Sequence, residues 1–207
     1  MLSNPAVLQS FTTIDLVTIL DSLKDYCAAY TYDPSFFKLM FARIEKGLKK
    51  MPVKNQVKLI MATLTACKRM RYNDPKVMRW LCNAALNVFD HMPQTLDQKY
   101  WTHVLWTFAH YPHYDLWRSI LARFDIDQMR HVSFNSNLLV LHSLMLVEHY
   151  DHALCQKLLT NMLRGSEQGE DFKGRRNQVD QVVSYYAFDV CKRAPAEVRE
   201  FALQCHR

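Results

Sequence analysis

Apolar side chains recur along most of the chain at intervals of three and four residues. A first set at Leu16, Ile19, Leu20 and Leu23 recurs as Val57, Ile60, Met61 and Leu64, which defines a 41-residue interval. This spacing places side chains on one face of an α-helix, whereas a half-buried strand would alternate apolar and polar positions. We therefore predict an all-α fold.

Two dipeptides repeat at the same interval. Met51-Pro52 returns as Met92-Pro93, and Asp33-Pro34 returns as Asp74-Pro75. Proline disfavours a helical conformation in the residue before it, so the Met-Pro pairs are expected to separate one helix from the next. Several landmarks in one register indicate a structural repeat.

The aspartates of this register are typical helix N-caps. Asp accepts hydrogen bonds from the unpaired N–H groups that open a helix, and Pro at the first helical position needs no donor. Asp115 follows Asp74 at the same interval, and Asp151 follows Asp115 after a shorter step. We expect four aspartates to cap the second helix of successive hairpins: Asp33, Asp74, Asp115 and Asp151.

These patterns predict a single domain over residues 1–207, an α-solenoid of about five helix–turn–helix repeats with a period near 41 residues. A single hairpin cannot bury both of its faces, so neighbouring hairpins must stack. The segment 164–177 holds three of the four glycines and many charges, and we predict a mobile loop there. The expected repeats are about 13–52, 53–93, 94–131, 132–177 and 178–207.

Sequence patterns typical of catalysis are missing. The chain contains no phosphate-binding glycine loop, no Gly-x-Ser-x-Gly elbow and no His-Glu-x-x-His pair. Its six cysteines form no Cys-x-x-Cys pair, which favours free thiols in a reducing compartment. No cysteine or carboxylate completes a metal site with the pairs His110/His113 and His149/His152. We predict a non-enzymatic protein with no cofactor, metal or small-molecule substrate.

Membrane and targeting segments are not expected in this chain. The longest apolar run, Leu138–Val147, is too short to span a bilayer, so we predict no membrane insertion. The first 23 residues contain no Lys or Arg and include Asp15 and Asp21. That composition does not fit a secretory or mitochondrial targeting segment.

The turns within the hairpins combine cations with aromatic rings. Stacked repeats would align these turns in a stripe, here called the turn edge. Cations can neutralise phosphates and rings can stack on bases, which predicts a nucleic-acid-binding edge. The alternative is structural, since basic residues oppose the dipole at helix C-termini and tyrosines can wedge a hairpin. The turn edge comprises Tyr30, Tyr32, Lys68, Arg69, Arg71, Tyr72, His110, Tyr111, His113, Tyr114, His149, Tyr150, His152, Lys192 and Arg193.

Two further groups of cations lie outside the turn edge. One surrounds the link between the first two repeats, at Lys46, Lys49, Lys50, Lys54 and Lys58, and the other lies in the predicted loop. Such runs are commonly solvated surface, and the alternative is a basic loop that orders against RNA. The predicted nucleic-acid-binding residues are Lys68, Arg69, Arg71, Tyr72, Lys173, Arg175, Arg176, Lys192 and Arg193.

Four tryptophans cluster in the second and third repeats. Trp101 and Trp106 are five residues apart, which places them about 140° apart around a helix. We expect one of these two near the surface or at a contact with another chain. The other, together with Trp80 and Trp117, is expected in the core.

The Leu-rich first helix, the turn Tyr72-Asn73-Asp74-Pro75 and the apolar second helix resemble the heptatricopeptide and octotricopeptide repeats of organellar RNA proteins. FAST-kinase-like and RAP-domain proteins carry similar arrays. The resemblance covers most of the chain. It implies a mitochondrial or plastid protein that binds RNA or belongs to a ribonucleoprotein, and the mitochondrial matrix is the location we expect.

Two functions follow from these expectations. The first is a subunit that binds RNA, other protein subunits or both within a mitochondrial ribonucleoprotein, such as a ribosome or an RNA-processing assembly. The second is a purely protein–protein scaffold in a large complex without RNA, such as a respiratory enzyme. The turn edge discriminates between them, because its cations would face phosphates in the first case and acidic proteins in the second.

Overall fold

Helices make up all of the regular structure in the described part of the chain. The computed structural model describes residues 5–25, 34–92, 98–111, 113–125, 127, 133–167, 176–186, 195–197 and 199–201. No β-strand occurs in these ranges, which confirms the predicted all-α class. None of the described helices has both the length and the apolar content needed to cross a membrane. The helices are α1 (Pro5–Ser10), α2 (Thr13–Leu23), α3 (Pro34–Leu48), α4 (Val53–Met70), α5 (Pro75–His91), α6 (Gln98–Phe108), α7 (Tyr114–Leu121), α8 (Phe134–Leu146), α9 (His152–Glu167) and α10 (Arg176–Tyr185).

The helices group into two compact units, Met1–Leu96 and Asp97–Arg207. In the N-terminal unit, α2 packs against α3 and α4, and α4 packs against α5. In the C-terminal unit, α6 packs against α7 and α8, and α8 packs against α9 and α10. In both units, therefore, a helix contacts the next helix along the chain and also the one after it.

Two of the predicted caps are confirmed. The Asp74 carboxylate accepts hydrogen bonds from the N–H groups of Lys76 (2.9 Å) and Val77 (3.1 Å) at the start of α5. The Asp151 carboxylate accepts one from Leu154 N–H (3.0 Å) at the start of α9. Asp33 lies outside the described residues.

The predicted cap at Asp115 is wrong. The N-cap of α7 is His113, whose side chain makes no capping bond, and Asp115 is the second residue of the helix. No proline fixes the start of α7 at this position in the way that Pro75 does for α5, so the helix begins earlier than the register implies. In the first turn, the negative Asp115 carboxylate still interacts favourably with the positive end of the helix dipole.

Helix α3 contributes one apolar face to the core of the N-terminal unit. Phe37, Met40, Phe41 and Ile44 are fully buried, and their spacing places them on one helical face. Near the end of α3, Gly47 meets the start of α2, where a Cβ atom would come within 1.8 Å of the Thr13 Oγ1 atom. Glycine is therefore required for the close approach of these two helices.

A buried histidine joins three helices of the C-terminal unit. Trp106 on α6 donates its indole Nε1–H to His142 Nδ1 on α8 at 3.2 Å. His142 Nε2 lies 3.2 Å from Gln181 Oε1 on α10. Because Nδ1 accepts, Nε2 carries the proton and donates to Gln181. Both ring nitrogens of the neutral imidazole are thus hydrogen-bonded, Nδ1 to α6 and Nε2 to α10.

The boundaries of the predicted loop at 164–177 are wrong. Helix α9 continues to Glu167 and α10 begins at Arg176, so only residues 168–175 of the predicted loop lie outside the described residues. Buried Cys155, Leu158 and Met162 keep α9 packed along its length. One glycine, Gly165, is tolerated near the end of a helix anchored in this way.

The tryptophans divide differently from the expectation. Trp101 is buried while Trp106 is half-buried, which confirms that these two residues do not share an environment. Trp117 is fully buried, as expected. The core placement expected for Trp80 is wrong, because its side chain is only half-buried.

Candidate nucleic-acid interface

The last turn of α4 and the residues just after it include four of the predicted nucleic-acid-binding residues, Lys68, Arg69, Arg71 and Tyr72. Helix α4 ends at Met70, and Arg71 follows in the left-handed conformation with φ 55° and ψ 31°. Arg71 N–H donates to Lys68 O at 3.1 Å, and Tyr72 N–H donates to Cys67 O at 2.9 Å. These bonds satisfy carbonyls at the helix end in the manner of a Schellman motif, here with arginine in the position usually held by glycine.

The three cations of this turn differ in their surroundings. Lys68 is half-buried, whereas Arg69 and Arg71 are exposed. Arg69 forms an ion pair with Asp25, and both of these side chains are about half exposed. In the described part of the chain, the Arg71 guanidinium has no ion-pair partner. Arg71 is therefore the cation that this turn presents most openly to solvent.

The Tyr72 ring packs inward, against the preceding hairpin. Its centroid lies 4.7 Å from that of Phe41, with 28° between the planes, and 5.4 Å from that of Phe37. Burial, with a smaller contribution from the Asp74 carboxylate, raises the pKa of Tyr72 to about 12. This packing corresponds to the structural alternative considered for the turn tyrosines, and it leaves one face of the ring occupied by protein.

The turn between α8 and α9 has the same backbone geometry. Glu148 is left-handed with φ 54°, matching Arg71. Its N–H donates to Met145 O at 3.1 Å, and His149 N–H donates to Leu144 O at 2.9 Å. The two turns thus share one left-handed residue and the same pair of hydrogen bonds, although their side chains differ.

The ring that follows the left-handed residue also packs in the same way in both turns. Tyr72 lies against Phe37, the fourth residue of α3, and His149 lies 5.5 Å from Trp117, the fourth residue of α7. His149 Nδ1 is also 3.1 Å from the Tyr114 hydroxyl oxygen. In both units, therefore, a turn ring rests on the second helix of the preceding hairpin at an equivalent position.

The turn between α6 and α7 departs from this geometry. Tyr111 precedes α7 by three residues, as Tyr72 precedes α5, and it is buried. Its N–H donates to Phe108 O at 3.1 Å, three residues back, whereas the Tyr72 N–H donates to Cys67 O, five residues back. His110 is held on α6, since its Nδ1 atom lies 2.8 Å from Trp106 O. The His110 ring is thus held within the chain by this contact.

Most of the remaining predicted site residues lie outside the described residues. Lys173, Arg175, Lys192 and Arg193 lie outside the described residues, as do Tyr30 and Tyr32. Arg176 is the first residue of α10. Of the predicted nucleic-acid-binding residues, the structure brings together Lys68, Arg69, Arg71 and Tyr72.

Sequence reasoning missed a groove between α3 and α5. Trp80 and Glu45 line two cavities there, with volumes of about 350 and 660 Å³. Asn83 and Asn87 line the smaller cavity, and lysines line both. The signal was present, because the helical neighbours of Trp80 at three and seven residues are these two asparagines. An indole on a polar helix face offers an accessible stacking surface.

The described residues contain no cluster of three or more His, Cys, Asp or Glu side chains that could hold a metal ion. Cys67, Cys82 and Cys155 are buried free thiols. Burial raises the pKa of the Cys67 thiol above its ordinary value. These three thiols are therefore parts of the apolar core rather than reactive groups.

No family model matches the sequence, and no curated protein is significantly similar to it.

Proposed function

We propose that this chain is a non-enzymatic helical-repeat subunit that binds RNA, other proteins or both within a mitochondrial ribonucleoprotein, a ribosome or an RNA-processing assembly. The observation that carries the proposal is the recurrence of one turn geometry at Arg71–Tyr72 and Glu148–His149. Stacked helical hairpins present extended surfaces, which suit macromolecules better than small substrates.

The repeat interpretation, an α-solenoid of stacked hairpins, gains support from both units. The separation of Arg71 from Glu148 equals that of Asp74 from Asp151, which spans two steps of the sequence register. The rings that follow Arg71 and Glu148 pack on the fourth residue of α3 and of α7. Contacts of α2 with α4, and of α6 with α8 and α8 with α10, are those expected of stacked first helices.

RNA binding is supported by the charge of the N-terminal unit. Lys68, Arg69 and Arg71 sit at one turn, where Arg71 is open to solvent. Cations of this kind can neutralise phosphates, and half-exposed aromatic rings can stack on bases. Trp80 suits the stacking role better than Tyr72, because the Tyr72 ring already packs on Phe37 and Phe41.

The proposed location in the mitochondrial matrix is supported by the resemblance to organellar RNA proteins alone. That resemblance centres on Tyr72-Asn73-Asp74-Pro75. In the structure this tetrapeptide combines a packed ring at Tyr72 with a helix cap at Asp74, followed by proline as the first residue of α5. Imaging of the tagged full-length protein against a matrix marker tests the location.

Cross-linking followed by affinity purification tests the proposed function. The tagged chain is irradiated in cells of the native source, purified under denaturing conditions, and its covalently bound RNA is quantified. The matched variant carries Lys68→Glu, Arg69→Glu and Arg71→Glu. We expect RNA with the wild type and less RNA with the variant, at unchanged protein levels. Recovery of the wild-type chain without covalently bound RNA would contradict an RNA-binding role.

A protein–protein scaffold without RNA is the second candidate. Four large apolar side chains are exposed among the described residues of the C-terminal unit, with Tyr114 at 44%, Leu146 at 40%, Tyr150 at 51% and Tyr185 at 44% of their full area. Two of them, Tyr114 and Tyr150, belong to the turn edge. Tyr114 contacts His149, next to Tyr150, so these rings lie near one turn. Exposed aromatic rings of this kind are typical of protein interfaces. Loss of protein partners on replacing Tyr114 and Tyr150, with no RNA recovered from the wild type, would favour this candidate.

A further inference from the structure

The excess positive charge of the chain is concentrated in one short segment. Residues 38–58 contain seven Lys and Arg and one acidic residue, Glu45. The whole chain has 26 Lys and Arg and 20 Asp and Glu, so the excess of six over the chain equals the excess in this segment. A concentration of one sign of charge creates a local potential that attracts polyanions.

The structure places most of these cations where α3 ends and α4 begins. We call this region the basic corner, and its members are Arg43, Lys46, Lys49, Lys50, Lys54 and Lys58. The five lysines are exposed, and Arg43 is half-buried. Their exposure leaves the ammonium groups accessible to a partner.

One side of the basic corner borders a cleft of about 490 Å³ between α2 and α3. Arg43, Lys46 and Lys50 line it from the end of α3, and Thr12 and Thr13 line it from the start of α2. Gly47 allows the two walls to approach closely, because a Cβ atom at this position would overlap Thr13. The cations therefore face a defined concavity as well as open solvent.

Three cations, and no carboxylate, are found among the described residues that line the cleft. Arg43 donates through Nη2 to the carbonyls of Gln9 (3.1 Å) and Phe11 (3.3 Å), which fixes its side chain while its other N–H groups stay available. The Glu45 carboxylate pairs with Lys49 at 2.6 Å. The Asp15 carboxylate accepts from Thr12 N–H at 2.9 Å, within the capping box of α2.

We propose that the basic corner and its cleft bind the phosphodiester backbone of single-stranded RNA, an inference that rests on the proposed RNA-binding function. Arg43 and Lys46 are three residues apart on α3, which places their Cβ atoms roughly 5–6 Å apart, and Lys50 follows just after the end of the helix. That interval suits successive phosphates of an extended strand. The cleft supplies a guanidinium held by two carbonyls and two exposed ammonium groups, which together can neutralise neighbouring phosphates.

Fluorescence anisotropy with a labelled single-stranded RNA of mixed sequence tests this inference on the full chain. The variant carries Lys46→Glu and Lys50→Glu. The matched control carries Arg118→Glu and Lys157→Glu, which make the same change in net charge at exposed positions of the C-terminal unit. Binding is measured across a series of KCl concentrations, and thermal melts establish that each variant is folded.

We expect the corner variant to bind RNA at least about tenfold more weakly than the control. Removing one lysine–phosphate pair should reduce the slope of log K against log salt by about 0.7, so removing two reduces it by about 1.4. Equal weakening by both variants would mean that only net charge matters and would overturn the inference while RNA binding stands. Absence of binding by the wild type at every salt concentration would instead overturn the proposed function.

An acidic protein is the other macromolecule that the basic corner could attract. The same experiment includes a polyglutamate peptide of matched charge as a competitor. We expect RNA to remain bound at peptide concentrations equal to its own. Displacement of RNA by the peptide at or below that concentration would overturn the inference in favour of a protein partner.

Discussion

Asp74 holds the first turn of α5 through two backbone N–H groups, and this single carboxylate fixes where the helix begins. We expect Asp74→Ala to lower the free energy of unfolding by about 0.5–2 kcal/mol, because both N–H groups lose their acceptor. Asp74→Asn retains an oxygen acceptor and serves as the control, with a smaller loss. Urea denaturation measures both, and equal midpoints for Asp74→Ala and the wild type would contradict the capping role.

The Tyr72 side chain also contributes to stability, because its ring packs on Phe37 and Phe41 of α3. Tyr72→Ala should destabilise the chain by about 1–3 kcal/mol, because Phe37 and Phe41 lose their stacking partner. Tyr72→Phe keeps the ring and should melt close to the wild type. A Tyr72→Ala variant as stable as Tyr72→Phe in thermal melts would show that the ring does not hold the hairpins together.

The hydroxyl of Tyr72 makes stability depend on pH in the alkaline range. Its pKa is raised from 10.0 to about 12, so the folded state favours the neutral phenol. The resulting stabilisation is fully present below pH 10 and is lost as the pH rises through 12. Burial also raises the pKa of Tyr100, which contributes in the same direction.

Comparison of the wild type with Tyr72→Phe isolates this contribution, because Tyr100 is present in both. Urea melts at pH 9 and at pH 11 should show a smaller alkaline loss of stability in Tyr72→Phe than in the wild type. The same loss in both proteins would mean that Tyr72 does not titrate as its burial implies.

At the scale of the helices, the contact of α2 with α3 depends on the missing side chain at Gly47. Gly47→Ala should lower the free energy of unfolding by about 1–3 kcal/mol, because its Cβ atom would overlap Thr13. In a Thr13→Ala background the loss should be smaller, since Oγ1 and Cγ2 are gone. A stabilising Gly47→Ala variant would show that helix propensity outweighs the contact, and that α2 moves aside freely.

Helix class and helix order follow from local patterns, which is why the sequence predicted them. The three- and four-residue spacing depends only on helix geometry, and Asp74-Pro75 carries its own start signal. The 41-residue register did not locate the start of α7. Asp115 is followed by Leu116 and not by a proline as Asp74 is, and the N-cap of α7 is His113. The extent of α9 likewise depends on packing along the helix rather than on the glycines near its end.

Contacts between distant residues could not be predicted in the same way. Trp106, His142 and Gln181 come from three helices, and their hydrogen bonds join residues 36 and 39 positions apart. No local pattern marks such partners. The bonds become visible only when α6, α8 and α10 are placed side by side.

At the scale of the whole molecule, the candidate interface in the N-terminal unit differs from the turn edge that the sequence suggested. The turn residues Lys68, Arg69 and Arg71 are placed together, but Tyr72 faces inward. The cleft at Arg43 and the groove at Trp80 were not predicted, because both depend on how α3 packs against its neighbours. The cations could be identified from the sequence, but the surfaces that they line could not.

Trp80 is expected to contribute to RNA binding by stacking on a base. Trp80→Ala should weaken the affinity for single-stranded RNA by about 1–3 kcal/mol, whereas Trp80→Phe should retain part of it. Anisotropy titrations at constant salt measure both variants. Unchanged affinity in Trp80→Ala would show that the groove between α3 and α5 does not hold a base.

The most direct test of RNA binding through the N-terminal unit is cross-link mapping. The purified full chain is irradiated with single-stranded RNA, digested, and the peptides that carry nucleotide adducts are identified by mass spectrometry. We predict adducts on peptides from residues 38–58 and on the peptide that contains Trp80. Adducts confined to the C-terminal unit, or no adducts at RNA concentrations that saturate binding, would contradict this account.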